Sequence, residues 1–205
     1  MQIYQKKDTI FAFMKILLVA ATSKEVFTEE LSKSEILITG LGMVNSSIKL
    51  TQRLTLKSYD LIINMGIAGS FTNDLQIGEV VEVVQDEFSE IGFEDGDRFS
   101  SFSDFNLNTK YYNPSKTNLK KVRSITVNTV HGNPKSINNI INRINPEIES
   151  MEGAAIFKVC QVFGIKCIQI RSISNIVELR DKDSWNIDLA VKNLNREVQS
   201  IISSL

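Results

Sequence analysis

The sequence is poor in the residues that build metal centres, disulfide frameworks and flexible linkers. Its 205 residues include one histidine, two cysteines and three prolines. Because His131 is the only histidine and Cys160 and Cys167 are the only cysteines, we expect neither a zinc cluster nor a disulfide framework. Two reduced, buried thiols are typical of a cytoplasmic protein, and that is the predicted location. The few prolines and glycines are spread along the chain and mark no linker, so a single domain is expected.

The sequence also lacks an excess of charge and any long apolar run. Its net charge is −1, which provides no electrostatic footprint for nucleic acid. No apolar run approaches the roughly 20 residues of a membrane-spanning helix, so no membrane partner is expected. The chain does have 42% hydrophobic residues, enough for a compact domain that buries roughly 70% of its unfolded surface.

The first thirteen residues have no pattern typical of a folded element. Lys6 and Lys7 precede only five residues, 9–13, which are too few for a secretory signal and lack a cleavage site. A buried strand is predicted to begin directly after Met14. We therefore expect residues 1–13 to be an N-terminal extension, disordered or arising from a misassigned start, and residues 14–205 to form the functional domain.

Apolar runs alternate with helical patterns along the rest of the chain. Strands buried on both faces are predicted at residues 16–21, 36–39, 61–65, 80–84, 125–130 and 167–173. Helices are predicted at residues 43–56, 135–144, 153–163 and 183–205, the last with Asp183 as its N-cap. The irregular segment 88–121 is expected to be a wall of the site or an oligomer contact. This order predicts an α/β fold, a single-domain layered sandwich around a central mixed, largely parallel sheet.

Ligands of such sheets bind in the loops that follow the carboxyl ends of the strands. The glycine-containing segment 40–45 lacks the third glycine and the acidic residue of a dinucleotide-binding motif, so a tight turn is favoured there. The small residues at 66–70 either let a ligand approach the backbone or form a simple turn.

Three polar residues near the predicted strand ends have both a structural and a functional interpretation. Glu152 lies among apolar neighbours, where an unpaired carboxylate is costly, so it needs a ligand or a salt bridge, for which Arg171 is the candidate. Glu25 either opens a helix as an exposed residue or faces a ligand. Asn175 either caps a loop or binds a base. A carboxylate for a diol and an amide for a base would together suit a nucleoside.

Four segments resemble, in order, the nucleoside phosphorylase and nucleosidase superfamily, and within it the purine nucleosidases. They are residues 14–25, 40–44, 64–69 and the Ser-Met-Glu-Gly-Ala-Ala block at 150–155, which is the most specific. The resemblance runs from Met14 to the end and identifies residues 14–205 as a nucleosidase domain. It implies an N-glycosyl hydrolase with a small nucleoside substrate, no metal or organic cofactor, and a homo-oligomer, either a dimer or a tetramer.

Segments 91–96, 126–133 and 174–180 further resemble the futalosine hydrolases of this superfamily. These enzymes cleave futalosine to hypoxanthine and dehypoxanthinyl futalosine in menaquinone biosynthesis. The alternatives are a methylthioadenosine/S-adenosylhomocysteine nucleosidase, which releases adenine, and a purine nucleoside phosphorylase. The phosphorylase would need a cationic cradle for phosphate, where residues 21–25 offer one lysine. A nucleoside-binding module without catalysis is a fourth possibility.

The resemblance also assigns roles to individual residues. Glu25 matches the residue that activates water, Glu152 the one that holds the ribose hydroxyls, and Asn175 stands where methylthioadenosine nucleosidases carry an aspartate. The residues predicted to bind substrate are Ala68, Gly69, Val130, Met151 and Ser174. An asparagine NH2 group offers two donors, which suit N7 and O6 of a 6-oxopurine, so hypoxanthine is the predicted base.

Overall fold

The computed structural model describes residues 14–27, 29, 31, 34–96, 98–102, 105–179 and 182–205. The predicted N-terminal extension, residues 1–13, lies outside the described residues. The strands are β1 (Ile16–Ala20), β2 (Glu35–Ile38), β3 (Leu61–Ser70), β4 (Val80–Phe88), β5 (Phe93–Asp95), β6 (Arg98–Ser100), β7 (Lys110–Tyr112), β8 (Lys120–Thr126), β9 (Ile148–Ser150) and β10 (Lys166–Ile176). The helices are α1 (Met43–Leu56), α2 (Pro134–Ile144), α3 (Gly153–Phe163) and α4 (Ile187–Ser204), with 3-10 turns at Ser23–Glu25 and Lys182–Ser184.

Eight of these strands form one mixed sheet. Their order is β10-β4-β8-β9-β3-β1-β2, with β7 added beside β4, while β5 and β6 form a separate hairpin. Because β10 also pairs with β3, five strands close into a ring from which β1 and β2 extend. Among the described strand pairs of this sheet, five are parallel and three antiparallel. The predicted α/β fold with a mixed, largely parallel sheet is confirmed.

Helices cover both faces of the sheet, and this explains why the strands are apolar on both sides. In β1, Leu17 and Val19 join a core that includes residues of α1 and α3. Leu18 and Ala20 face the other way, into a core that includes α4. Period-2 alternation of side chains in a strand therefore supplies two cores from one continuous apolar run.

The predicted strand 125–130 is wrong in position, because β8 ends at Thr126. In the first four residues of β8 only Val122 is buried, and the other three are exposed Lys or Arg, so no apolar run reveals this part of the strand. Val127 and Val130 are apolar because they pack with Ile140 of α2, outside the sheet. The segment predicted to be irregular also contains the β5–β6 hairpin and β7.

The predicted start of the last helix is also wrong. The helix α4 begins at Ile187, and the side chain of Asn186 caps it by accepting from the Leu189 amide at 3.1 Å. Asp183 instead lies in the preceding 3-10 turn. Both thiols, Cys160 and Cys167, are free and buried. None of the helices within the described ranges combines the length and the apolar character needed to cross a membrane.

Candidate active site

Glu25 is the last residue of the 3-10 turn after β1, and it is half-buried. It is therefore not an exposed residue that opens a helix, which was one of the two interpretations of the sequence. Its carboxylate accepts hydrogen bonds from the amide of Thr22 at 2.9 Å, the hydroxyl of Thr22 at 3.1 Å and the amide of Ile67 at 3.3 Å. The buried Asn195 of α4 donates from Nδ2 to the Glu25 carbonyl at 2.9 Å. These contacts hold the carboxylate against the carboxyl-terminal part of β3.

Glu152 is the residue before α3, and its partner is not the one that the sequence suggested. Its Oε1 accepts a hydrogen bond from the amide of Gly42 at 2.8 Å, and Gly42, with φ of 88°, begins α1. No ion pair joins it to Arg171 among the described residues. Burial raises the pKa of Glu152, while the Gly42 hydrogen bond and the charge of Arg171 lower it and the charge of Glu25 raises it. Glu25, Glu152 and Arg171 therefore share one electrostatic environment.

The sequence suggested Arg171 as a salt-bridge partner of Glu152, and the structure does not show that pair. Arg171 is instead a candidate for a role in the site. Its guanidinium is buried in β10, where Nη1 donates to the carbonyl of Ile170 at 3.1 Å and to Asn64 at 3.4 Å. A Cβ atom added to Gly66 would lie 3.0 Å from Oε1 of Glu25 and 3.4 Å from Nη1 of Arg171. The missing side chain at Gly66 thus lets a carboxylate and a guanidinium approach the same point of β3.

Asn175 lies within β10 and not in the loop predicted for it, because β3 and β10 pair along their whole length. It pairs with Gly69, and the register shifts by one residue between Ile173 and Asn175, as in a β-bulge. The Ser174 hydroxyl donates to Asn175 Oδ1 at 2.9 Å, and Asn175 Nδ2 donates one hydrogen bond to the carbonyl of Ile176 at 3.1 Å. A Cβ atom on Gly69 would lie 3.2 Å from Nδ2 of Asn175. The NH2 group therefore borders the space left by Gly69, with a second N–H for a ligand.

The remaining predicted binding residues lie on the same group of strands. Ala68 is next to Gly69, and its carbonyl lies 3.2 Å from the Ser174 hydroxyl. Met151 is half-buried and directly follows β9, which pairs with the end of β3. Val130 is half-buried in the segment after β8 and packs in the cluster that also contains Phe71. The predicted residues thus gather around the ends of β3, β8, β9 and β10.

Sequence reasoning also missed a buried acid–imidazole pair. Glu149 in β9 is 3% exposed, and its carboxylate accepts the His131 amide at 2.9 Å and lies 2.5 Å from His131 Nδ1. Phe71 packs edge-on against the imidazole, with ring centroids 5.7 Å apart. The available signal was the only histidine of the chain, which stands after a predicted strand, whereas Glu149, between Ile148 and Ser150, has no distinguishing sequence pattern.

A second buried acid supports the start of α3. Asp86 is fully buried and accepts from Thr126 Oγ1 at 2.9 Å and from Gln169 Nε2 at 2.8 Å. Thr126 Oγ1 in turn accepts the amide of Ala154 at 2.7 Å, in the first turn of α3. Burial raises the pKa of Asp86 to about 6. Within the described residues, no group of three or more His, Cys, Asp or Glu side chains could hold a metal ion.

Comparison with known proteins identifies the family. The sequence model of the phosphorylase superfamily matches residues 14–203. The chain belongs to the phosphorylase superfamily. The family prediction is thereby confirmed, and so is the predicted relationship to N-glycosyl hydrolases, since the relatives described next are futalosine hydrolases and nucleosidases.

Two relatives in the superfamily are similar over most of their length. A futalosine hydrolase of Thermus thermophilus is 26% identical over 178 residues, covering 80% of this chain and 79% of the relative. A 5'-methylthioadenosine/S-adenosylhomocysteine nucleosidase of Geobacillus sp. is 28% identical over 200 residues, covering 88% and 86%. The two specificities are thus represented at comparable similarity.

Solved structures show the same fold. A mutant of the 5'-methylthioadenosine nucleosidase of Helicobacter pylori, with 5'-methylthioadenosine in its active site, superposes with a TM-score of 0.81 at 17% identity, covering 94% of this chain and 99% of that one. The native futalosine hydrolase of the same species superposes with a TM-score of 0.76 at 18% identity, covering 94% and 98%. At these identities the superposition identifies the fold and not the substrate.

Proposed function

We propose that this chain hydrolyses the N-glycosidic bond of futalosine, releasing hypoxanthine and dehypoxanthinyl futalosine in menaquinone biosynthesis. One observation carries the proposal: Oδ1 of Asn175 accepts the Ser174 hydroxyl, while its NH2 group borders the space beside Gly69. An NH2 donor suits the N7 and O6 acceptors of a 6-oxopurine, whereas it would oppose the 6-amino group of adenine. Such a mismatch between buried polar groups discriminates strongly between substrates.

The proposed mechanism follows from the charges that develop when the bond breaks. Glycosidic cleavage passes through an oxocarbenium-like state, positive on the sugar and negative on the departing purine. Asn175 would stabilise the negative purine by donating its second N–H, as an oxyanion hole does. Glu25 would act as the general base toward water. The buried Arg171 approaches Gly66 as Glu25 does, so a positive charge lies near the proposed base.

Glu152 is proposed to hold the ribose hydroxyls, with Met151 packing on the sugar. Oε1 of Glu152 accepts from Gly42, so its other oxygen remains for a hydroxyl donor. Ala68, Gly69, Val130 and Ser174 would complete the contacts with sugar and base. We further propose that residues 14–205 form the nucleosidase domain and that the enzyme is a cytoplasmic homo-oligomer, a dimer or tetramer, as the family resemblance implies.

Chromatography of the released base tests the substrate. Purified protein is incubated separately with futalosine and methylthioadenosine, with and without phosphate. We expect hypoxanthine from futalosine, at a rate independent of phosphate, and much slower release of adenine. Adenine as the preferred product would instead support the nucleosidase specificity of the Geobacillus relative, and ribose 1-phosphate would support a phosphorylase.

Replacing Glu25 tests the proposed general base. Glu25→Gln keeps the size of the side chain and an acceptor oxygen for Thr22, so substrate should still bind. It removes the base, so kcat should fall by roughly 100- to 10,000-fold. Turnover and equilibrium binding of futalosine are measured with Glu79→Gln as the matched control, because Glu79 also accepts a backbone amide in a turn. Full turnover by Glu25→Gln would exclude the proposed role.

A further inference from the structure

Three strands place a donor and an acidic group on either side of Gly69. Asn175 stands opposite Gly69 in β3, and Gly69 stands opposite Glu149 in β9. Directly paired residues of neighbouring strands point to the same face of a sheet. Their chain neighbours Ala68 and Ile148 both belong to the core beside α1 and α3, so Gly69 and Glu149 face away from it. Asn175, Gly69 and Glu149 therefore form one row on this face of the sheet, and about two strand spacings, roughly 10 Å, separate the first residue from the last.

Glu149, at one end of this row, contacts an imidazole whose proton has a defined position. Both carboxylate oxygens of Glu149 are used, one by the His131 amide at 2.9 Å and one by Nδ1 at 2.5 Å. Because a carboxylate can only accept, Nδ1 is the donor in this contact, and in the matching tautomer of the imidazole Nε2 carries a lone pair. Nε2 has no hydrogen-bonding partner among the described residues, and the side chain of His131 keeps 14% of its surface exposed. The edge packing of Phe71 limits rotation of the ring.

We propose that His131 recognises the N1–H group of a 6-oxopurine, with Nε2 as the acceptor and Glu149 as the positioning residue. The inference rests on the proposed function and deepens it. A 6-oxopurine has a donor at N1 next to the O6 acceptor, whereas a 6-aminopurine has an acceptor at N1 next to a donor. A lone pair on Nε2 suits the first pattern and opposes the second. Asn175 would donate its second N–H to the N7 and O6 edge from one side of Gly69, and His131 would accept from N1 on the other.

The decisive variant, Glu149→Gln, changes which nitrogen of His131 carries the proton and keeps the shape of the Glu149–His131 pair. In Glu149→Gln, the amide oxygen can keep the His131 backbone contact, and the NH2 group then donates to Nδ1. The imidazole proton moves to Nε2, which becomes a donor. We expect the ratio of kcat/KM for a 6-oxopurine nucleoside to that for its 6-amino analogue to fall roughly 10- to 100-fold, the size of one buried hydrogen bond exchanged for a mismatch.

A second variant removes the proposed contact altogether. The wild type should discriminate roughly 10- to 100-fold against a 6-oxopurine nucleoside methylated at N1, because a methyl group replaces the donor. His131→Ala should lose most of this discrimination. Asn128→Ala is the matched control, since Asn128 lies in the same segment but its side chain contacts Glu90. Its selectivity should equal that of the wild type.

The outcomes separate this inference from the proposed function. If the wild type releases hypoxanthine but both variants lower kcat/KM equally for all substrates, the pair is only structural and this inference is wrong, while the proposed function stands. If the wild type releases no 6-oxopurine, the proposed function is wrong. Calorimetric binding of free hypoxanthine and 1-methylhypoxanthine to wild type and Glu149→Gln then tests His131 without turnover. Equal affinities, or no binding, would overturn the inference.

Discussion

At the scale of single residues, the close packing of Asn175 against Gly69 is the feature on which the proposed base contact depends. A Cβ atom there would lie 2.9 Å from Cγ2 of Val177 and 3.2 Å from Nδ2 of Asn175. Gly69→Ala should therefore displace the amide and raise the dissociation constant for hypoxanthine roughly tenfold or more while the protein stays folded. Calorimetric titration measures the affinity, and thermal unfolding checks the fold.

Val177→Ala in the Gly69→Ala background provides the control for that prediction. The second substitution removes the 2.9 Å contact with Val177 and leaves the 3.2 Å contact with Asn175, so part of the affinity for hypoxanthine should return. Unchanged affinity in Gly69→Ala alone would show that the base does not lie over this residue.

Residue chemistry in the sequence indicated which groups need partners but not which partners they have. Glu152, in an apolar setting, requires compensation, and that expectation holds. Its actual donor is the amide of Gly42, 110 positions away, and not the guanidinium of Arg171. A backbone N–H has no signature in the sequence, because every residue except proline carries one.

At the scale of elements, α4 holds the turn that carries Glu25. Asn195 is fully buried, accepts the Phe27 amide at 2.8 Å and donates to the Glu25 carbonyl at 2.9 Å. Asn195→Ala should lower the free energy of unfolding by about 1 to 3 kcal/mol and reduce kcat roughly tenfold, because the carboxylate loses its support. Denaturant unfolding and steady-state kinetics measure the two effects.

Asn193 on the same helix is a suitable comparison for that prediction. Its Nδ2 donates to the carbonyl of Gly78 at 2.7 Å, so it also joins α4 to a loop, but not to the one bearing Glu25. Asn193→Ala should lower stability and leave kcat unchanged. Equal loss of kcat in both variants would mean that α4 acts through general stability.

The bounds of the helices and strands show which elements the sequence patterns predicted fully and which only in part. Helices α1 and α3 begin and end where the pattern predicted, since each apolar face repeats with the helical period. Strands β3 and β10 extend beyond their apolar runs, through Ser70 and Ile176. Their polar and glycine-containing ends are strands because each pairs with the other, a long-range contact that local composition does not contain.

At the scale of the whole molecule, Asp86 joins β4 to β8, β10 and α3 through one buried carboxyl group. Because its pKa in the folded protein is about 6 and its ordinary value is 3.8, the unfolded chain releases this proton first as the pH rises. The contribution of Asp86 to stability is therefore present below pH 4 and is lost as the pH rises through about 6. The shift of about two units corresponds to roughly 3 kcal/mol.

Asp86→Asn should remove this dependence. The asparagine oxygen can accept from Thr126, and rotation of the Gln169 amide lets its unpartnered Oε1 accept from the new NH2 group. The free energy of unfolding of the variant, relative to wild type, should rise by on the order of 3 kcal/mol between pH 4 and pH 7. Denaturant unfolding across this range, with the exposed Asp74→Asn as control, measures it. If the difference in free energy of unfolding between Asp86→Asn and the wild type stayed constant over this pH range, the raised pKa of Asp86 would be contradicted.

The sequence by itself determined the α/β class, the superfamily and the set of polar groups around which the proposed site is built, Glu25, Glu152 and Asn175. Those properties follow from hydrophobic periodicity and from short contiguous motifs, both of which are local. Only the tertiary structure decided that Asn175, Gly69 and Glu149 form one row, that Glu149 binds His131, and that Arg171 and Glu25 both approach Gly66. Strand register brings together residues distant in the chain, and pairing across a closed ring of strands sets that register.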